Sequence, residues 1–142
     1  PNCNVIRPAD PKETYEALNL AFQSVHTPTV IVTSRQNLEV IETSVESVKL
    51  GAYVIKEEKN PDHILLATGS EVKLALDSAK LLEEKGLKVR VVSMPSEFLF
   101  EQQKEEYKTS MARDILARTN NEELRVEGNY IGRIDENSSN KK

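Results

Sequence analysis

The feature that most constrains the fold is a strand, helix, strand pattern between residues 64 and 93. An almost purely apolar run, Ile64 to Thr68, ends at a glycine, and a helical period follows it as far as Gly86. The apolar positions of that period are Val72, Leu74, Ala75, Leu76, Ala79, Leu81 and Leu82. Lys88 to Ser93 is rich in valine and predicts a second strand. Two strands that flank one helix form a βαβ crossover, which requires a parallel sheet.

A second unit of the same kind is predicted between residues 4 and 34. Asn4 to Ile6 fits a short strand, and a helix start follows in which Asp10 caps the first turn and Glu13 completes a capping box. We interpret these two carboxylates as a cap and not as a catalytic pair. Thr29 to Ser34 is rich in β-branched residues and predicts the strand after the helix. The fold class is therefore α/β, with a parallel sheet and βαβ crossovers.

The first helix is expected to run to about Val25. Its large apolar residues Tyr15, Leu18, Phe22 and Val25 recur at steps of three and four, with Ala17 and Ala21 beside them, so they share one broad helical face. We expect this face to lie against a sheet.

Residues 37–61 have a looser pattern and predict a linker between two domains. Within it, Gly51 to Ile55 fits a short strand, and the charged stretch Lys56 to Lys59 follows at once. Charged flanks protect an exposed strand edge from mispairing. We therefore expect an edge strand that opens the next domain, and a further helix from Phe98 to about Lys108.

The balance of charge argues against two classes of partner. Nineteen basic and twenty-three acidic residues give a net charge of −4, and the two signs are interspersed. No basic face is expected to follow a nucleic-acid backbone or an anionic membrane, so neither partner is predicted. The single cysteine, Cys3, cannot form an internal disulfide, and no apolar run has the length of a signal peptide or a membrane span. The expected compartment is the cytoplasm.

Four strings resemble one known family in their order and spacing. They are NVIRPAD at residues 4–10, SRQNL at 34–38, ILLATGSEV at 64–72 and VRVVSMP at 89–95. All four are similar to strings of transketolases, and the resemblance covers about residues 2–109. It implies that residues 1–36 end the middle, pyrimidine-binding domain, that 37–61 are the interdomain linker, and that 62–109 start a transketolase-like C-terminal domain.

Beyond Ser110 the chain leaves the transketolase pattern. We expect residues 110–142 to be a divergent, partly disordered tail. A short helix is predicted at 113–118 and a hairpin from Leu124 to Ile134, and Glu136 to Lys142 is expected to be disordered. The C-terminal domain, and with it the fold, is expected to be incomplete.

The resemblance implies a transferase of the pentose phosphate pathway that moves a two-carbon ketol unit between sugar phosphates. The family works as a homodimer with thiamine diphosphate and Mg²⁺ or Ca²⁺. A Gly-Asp-Gly motif with a downstream asparagine holds the cofactor and its metal, a glutamate activates the ring, and none of these is found in this sequence. His26 and His63 match none of the family's catalytic histidines. No catalytic, cofactor-binding or metal-binding residue is therefore expected, and the chain alone is expected to be inactive.

Arg35 is the one site residue that the resemblance assigns, as the arginine that contacts the substrate's phosphate. A guanidinium offers phosphate oxygens a planar fork of donors and stays charged. The local pattern agrees in kind, because Arg35 follows a predicted strand and the carboxyl ends of strands face the ligand crevice in open α/β sheets. The alternative is a surface arginine that pairs with Glu39 or with a helix C-terminus. Ser34 and Gln36 are expected to set the loop.

Gly69 and Ser70 are a further candidate, since they start the helix of the 64–93 unit and helix N-termini attract anions. No phosphate-binding loop motif accompanies them, so we interpret the pair as a structural cap.

Two other functions stay open beside that of a transketolase part. One is a non-catalytic α/β interaction module that docks on another subunit. The other is one chain of a split transketolase whose partner carries the cofactor site.

Overall fold

The N-terminal part of the chain forms a strand, helix, strand unit, as predicted. The computed structural model describes residues 2–41 and 45–118. β1 (Asn4–Ile6), α1 (Pro11–Gln23) and β2 (Thr29–Ile31) follow one another, and β1 pairs with β2 in parallel. At the end of α1 the Ser24 N–H donates to the carbonyls of Leu20 and Ala21. The helix therefore ends at Gln23, slightly before the predicted Val25.

The orientation of α1 differs from the prediction. The stripe of large apolar residues points outward, with Phe22 84% and Val25 82% exposed, and Tyr15 and Leu18 also exposed. The buried face carries Glu13 and Ala17 instead. Ala17 packs in one core cluster with Ile6, and a methyl side chain lets the helix axis lie close to the strands. The expectation that the large apolar face covers a sheet was wrong.

The second unit is a three-stranded sheet with its own crossover helix. β3 (Tyr53–Lys56), β4 (His63–Ala67), α2 (Glu71–Glu83) and β5 (Val89–Ser93) form it, with the strand order β3-β5-β4. β4 and β5 pair in parallel on either side of α2 in sequence, which confirms the predicted crossover. Every residue of β5 is buried because this strand lies in the middle of the sheet.

β3 is the predicted edge strand, and it makes this sheet mixed. Among the described strands it pairs with β5 alone, in the antiparallel direction, and the register shifts between Val54 and Lys56. The prediction of a purely parallel sheet was therefore wrong for β3. A strand pattern in the sequence predicts an edge strand but not whether that strand runs parallel or antiparallel to its neighbour.

Three further helices complete the described chain. A 3-10 helix (Val45–Leu50) precedes β3, and α3 (Glu97–Glu101) and α4 (Glu105–Arg118) follow β5 in place of the one helix predicted from Phe98 to Lys108. The predicted hairpin and disordered end lie outside the described residues. None of the described helices is long and apolar enough to cross a membrane.

The two units share one hydrophobic core cluster. Ile6 and Ala17 of the first unit pack with Val48 and Tyr53, which come from the 3-10 helix and β3. A second cluster of Ala79, Val89 and Val91 lies under α2. The sharing of the first cluster fixes how the first unit sits on the second.

Candidate functional site

Arg35 lies on an exposed stretch beyond β2 that we call the Arg35 segment (residues 33–41). β2 was predicted to run straight into the arginine, but its pairing ends at Ile31, and one more hydrogen bond follows, from the Val32 N–H to the Ile6 carbonyl (2.9 Å). β1 has already ended at Ile6 and leads into Arg7-Pro8, where proline has no N–H to donate. The backbone therefore leaves the sheet before it reaches Arg35.

The side chain of Arg35 is exposed and forms no ion pair with any residue that the structure describes. The alternative partner, Glu39, lies instead 3.5 Å from the Lys73 ammonium of α2. Ser34 sets the local turn, as expected, because its Oγ accepts from the Gln36 N–H at 3.0 Å. The guanidinium is thus left available to an anion from solvent.

The far end of the Arg35 segment is held by Asp10, which is only 2% exposed. Its Oδ1 caps α1 by accepting from the Glu13 N–H at 2.8 Å, and its Oδ2 accepts from the Ile41 N–H at 2.9 Å. The predicted cap is confirmed, and the second oxygen adds a contact across 31 positions of sequence.

A cavity of about 450 Å³ does not contain Arg35. It opens at the carboxyl ends of β1, β4 and β5, and its charged lining residues are Arg7, Glu71, Glu97 and Glu101. Gly69, whose φ is +57°, lies beside the Arg7 side chain. Three carboxylates outnumber one guanidinium there, so the lining repels anions more than it attracts them.

Ser70 does not cap α2, contrary to the prediction for Gly69 and Ser70. Its own backbone is helical (φ −60°, ψ −18°) and its hydroxyl makes no capping hydrogen bond. Turn bonds replace the cap, from Glu71 N–H to the Thr68 carbonyl and from Val72 N–H to the Gly69 carbonyl, both 3.2 Å.

A buried polar junction joins the two units, and we define it by Asn4, Glu13, Tyr53, Ser93 and Ser96. The Glu13 side chain is fully buried, and its Oε1 accepts from the Tyr53 hydroxyl (2.6 Å) and the Ser93 hydroxyl (2.8 Å). Its Oε2 accepts from the Ala9 N–H (2.6 Å), one residue earlier than a capping box requires. The Ser96 hydroxyl donates to the Asn4 side-chain oxygen at 3.0 Å.

Glu13 therefore joins the two units and does not complete the predicted capping box, because its Oε2 accepts from the Ala9 N–H and not from the Asp10 N–H. Burial raises the pKa of its carboxyl above the ordinary 4.5, since lost hydration outweighs the three donors, and the nearby charge of Asp10 acts in the same direction. Sequence reasoning missed this role because the partners lie 40 and 80 positions away. The available clue was that Glu13 and Ala17 are four residues apart on one face.

His26 and His63 are both exposed. Among the described residues, no group of three or more histidine, cysteine, aspartate or glutamate side chains is placed to hold a metal ion.

Comparison with known proteins gives consistent matches to one family. A family model described as "Transketolase-like TK C-terminal domain" matches residues 51–129. A transketolase of Staphylococcus epidermidis is 49% identical over 116 residues, which is 78% of this chain and 18% of that protein. Transketolase 1 of Saccharomyces cerevisiae is 48% identical over 115 residues, covering 80% and 17%. The chain thus spans less than a fifth of the length of these relatives.

Solved structures match in the same way. A transketolase of Pichia stipitis in complex with sedoheptulose-7-phosphate has a TM-score of 0.75 and 45% identity, over 78% of this chain and 17% of that one. A split-gene transketolase, described as an inactive β4 tetramer, has a TM-score of 0.65 and 30% identity, over 80% and 36%.

Proposed function

The chain belongs to the transketolase family, and from this premise we propose that it supplies the substrate-phosphate contact of a transketolase. The whole enzyme would transfer a two-carbon ketol unit between sugar phosphates in the pentose phosphate pathway, as a homodimer. Arg35 would bind the terminal phosphate of the sugar. The observation that carries the proposal is the exposed Arg35 guanidinium, which has no ion-pair partner among the described residues.

The division of labour along the chain follows the same proposal. Residues 1–36 would end the middle, pyrimidine-binding domain, 37–61 would link the domains, 62–109 would start the C-terminal domain, and 110–142 would form a divergent tail. Arg35 then stands at the end of the middle domain, beyond a parallel strand pair. Strand ends of this kind face ligands in open α/β sheets.

The residues of this chain do not fit the family's cofactor, thiamine diphosphate. The chain has no Gly-Asp-Gly motif, and its described carboxylates and histidines form no group that suits a divalent ion. Among the described residues, Glu13 is the one fully buried carboxyl, and it already accepts three protein hydrogen bonds. We propose that the cofactor and its Mg²⁺ or Ca²⁺ are held by residues outside this segment, and that calorimetric titration of the chain with thiamine diphosphate and magnesium gives no saturable heat.

Kinetics in a transketolase-length protein that carries this segment test the phosphate contact. Arg35→Ala should raise KM for phosphorylated substrates by about ten- to a hundredfold, because a charge-assisted hydrogen bond of roughly 1.5–3 kcal/mol is lost in the ground state and the transition state alike. Arg35→Lys should recover only part of the loss, since an ammonium keeps the charge without the fork.

An unphosphorylated acceptor, such as a short hydroxyaldehyde, is the internal control. Its KM should be nearly unchanged in both variants. Equal losses on phosphorylated and unphosphorylated substrates would show that Arg35 maintains the loop and does not bind phosphate.

Two alternatives are supported by separate observations. A non-catalytic interaction module is supported by the outward apolar stripe of α1, with Phe22 84% exposed. One chain of a split transketolase is supported by the structural similarity to a split-gene protein. Reconstitution separates the two alternatives from each other: a split enzyme gains activity when its partner chain is added, whereas an interaction module does not.

A further inference from the structure

Both side-chain oxygens of Asp10 accept hydrogen bonds, although capping α1 requires only one of them. An N-cap needs a single side-chain oxygen, and here Oδ1 fills that role with the Glu13 N–H at 2.8 Å. The other oxygen, Oδ2, accepts from the Ile41 N–H at 2.9 Å. Because the side chain is only 2% exposed, water cannot readily replace the protein as its partner.

The Arg35 segment is otherwise held at few points. At its start, Val32 N–H donates to the Ile6 carbonyl. Between Val32 and Ile41, the described hydrogen bonds and ion pairs are the Ser34–Gln36 turn and the ion pair of Glu39 with Lys73, in which Glu39 is 77% exposed. An exposed ion pair of this kind contributes little to order. Among the described residues, the part-buried bond from the Ile41 N–H to Asp10 is therefore the one hydrogen bond that ties the far side of the arginine to the rest of the fold.

From this geometry we propose that Asp10 is a positioning residue for substrate binding, which acts by fixing the segment that presents Arg35. The inference rests on the proposed role of Arg35. One carboxylate binds both the first turn of α1 and the Ile41 end of the Arg35 segment, so the segment is tied to the helix start at that end. Asp10 itself need not touch substrate.

The variant Asp10→Ser separates the two uses of the carboxylate. Serine is as good an N-cap as aspartate, but its single short hydroxyl cannot also reach Ile41. Thr14→Val is the matched control, because it removes the neighbouring hydrogen bond from the Thr14 hydroxyl to the Asp10 carbonyl (2.8 Å) and leaves both side-chain oxygens of Asp10 in place.

The first test is a double-mutant cycle in the transketolase-length protein. Asp10→Ser should raise KM for a phosphorylated substrate by about two- to tenfold, the factor that corresponds to one ordinary hydrogen bond, with kcat nearly unchanged. In an Arg35→Ala background, Asp10→Ser should add no further increase, because its effect passes through the arginine. Thr14→Val should change neither constant. Multiplying effects of the two substitutions would overturn the proposal.

The second test follows the segment in the 142-residue chain by NMR relaxation and needs no substrate. Asp10→Ser should lower the order parameters of the Asn37 to Ile41 amides toward the flexible range, below about 0.6, while the amides of α1 keep rigid values. Unchanged order parameters in the segment would overturn the proposal, whatever Arg35 binds. If Asp10→Ser lowers the order parameters of the segment but Arg35→Ala leaves KM unchanged, Asp10 does restrain the segment and the proposed phosphate contact of Arg35 is wrong.

Discussion

The junction and the Arg35 segment place their ionisable side chains in opposite environments. At the junction Glu13 is fully buried and accepts three hydrogen bonds, from Tyr53, Ser93 and Ala9. Arg35 is exposed and has no ion-pair partner among the described residues. A buried carboxyl whose hydrogen bonds are satisfied stabilises the fold, and its loss lowers the free energy of unfolding. An exposed guanidinium without an ion pair contributes almost nothing to the fold, so its loss should leave stability nearly unchanged.

Asp10 connects the two regions. One of its oxygens caps the helix that carries Glu13, and the other holds the end of the Arg35 segment. The buried junction and the exposed arginine are therefore linked through the start of α1. Substitutions at the junction should act on stability, and those in the segment should act on binding.

The largest effect is expected at Gly51, which backs the junction through a bond from the Ser96 N–H to its carbonyl (3.0 Å). A Cβ at Gly51 would lie 2.1 Å from the Phe100 nitrogen and 2.5 Å from the Ser96 carbonyl oxygen. Gly51→Ala should therefore destabilise the chain by more than about 4 kcal/mol, measured by urea unfolding.

Gly86→Ala is the matched control for Gly51→Ala. The φ of Gly86 is +83°, close to the +81° of Gly51, but no atom lies within 4 Å of its added Cβ. Only the left-handed strain remains, at about 1–2 kcal/mol. Equal costs at the two glycines would show that Ser96 and Phe100 do not pack as described.

Next in size is Glu13→Ala, which leaves the Tyr53 and Ser93 hydroxyls and the Ala9 N–H without their acceptor. The expected loss of unfolding free energy is about 3–5 kcal/mol. Tyr53→Phe should cost clearly less, since it removes one of three donors. If Glu13→Ala lowers the unfolding free energy by less than about 1 kcal/mol in the same urea titration, the junction contributes no more to stability than the Arg35 segment does.

The pH dependence of stability is a smaller effect. Because burial raises the folded-state pKa of Glu13 above 4.5, the folded chain binds more protons than the unfolded chain once pH rises past that value. The contribution of Glu13 should therefore be most favourable below about pH 4.5 and decrease as pH rises through the folded-state pKa. Glu13→Gln cannot ionise, so the stability of the wild-type chain relative to this variant should fall across that window. A relative stability that rises with pH would show that the donors hold the carboxylate charged.

The smallest effect on stability is expected in the segment. Arg35→Ala should change the unfolding free energy by no more than about 0.5 kcal/mol, because an exposed side chain without an ion pair loses little on truncation. Thermal melts of the two chains should overlay. A loss of about 2 kcal/mol of unfolding free energy in Arg35→Ala would show that Arg35 stabilises the fold.

Predictability from sequence differs between the elements for physical reasons. The β4-α2-β5 crossover was predicted correctly, since two valine- or leucine-rich runs on either side of a helical period leave few alternatives. The face of α1 was predicted wrongly, because periodicity groups large apolar residues without regard to what covers them. Here Ala17 and Glu13 face the core, while Phe22 lies outside. The antiparallel direction of β3 depends on how the chain crosses the sheet, which no local pattern encodes.

The site was predictable only in part. The family resemblance assigned Arg35, whereas the local helix-start pattern of residues 10–13 correctly predicted the Asp10 cap. The extent of β2 was overestimated, since the strand's length is limited by its short partner β1 and not by its own β-branched residues. The junction was missed, because a buried glutamate is explained only once its distant partners are placed.

The most direct test of the central claim is a crystal structure of a transketolase-length protein carrying this segment with a sugar phosphate bound. The account predicts that the Arg35 guanidinium donates to terminal phosphate oxygens at about 2.7–2.9 Å, in a paired fork, while Asp10 still holds Ile41. A phosphate bound elsewhere, with the Arg35 guanidinium in solvent or paired to a protein carboxylate, would contradict it.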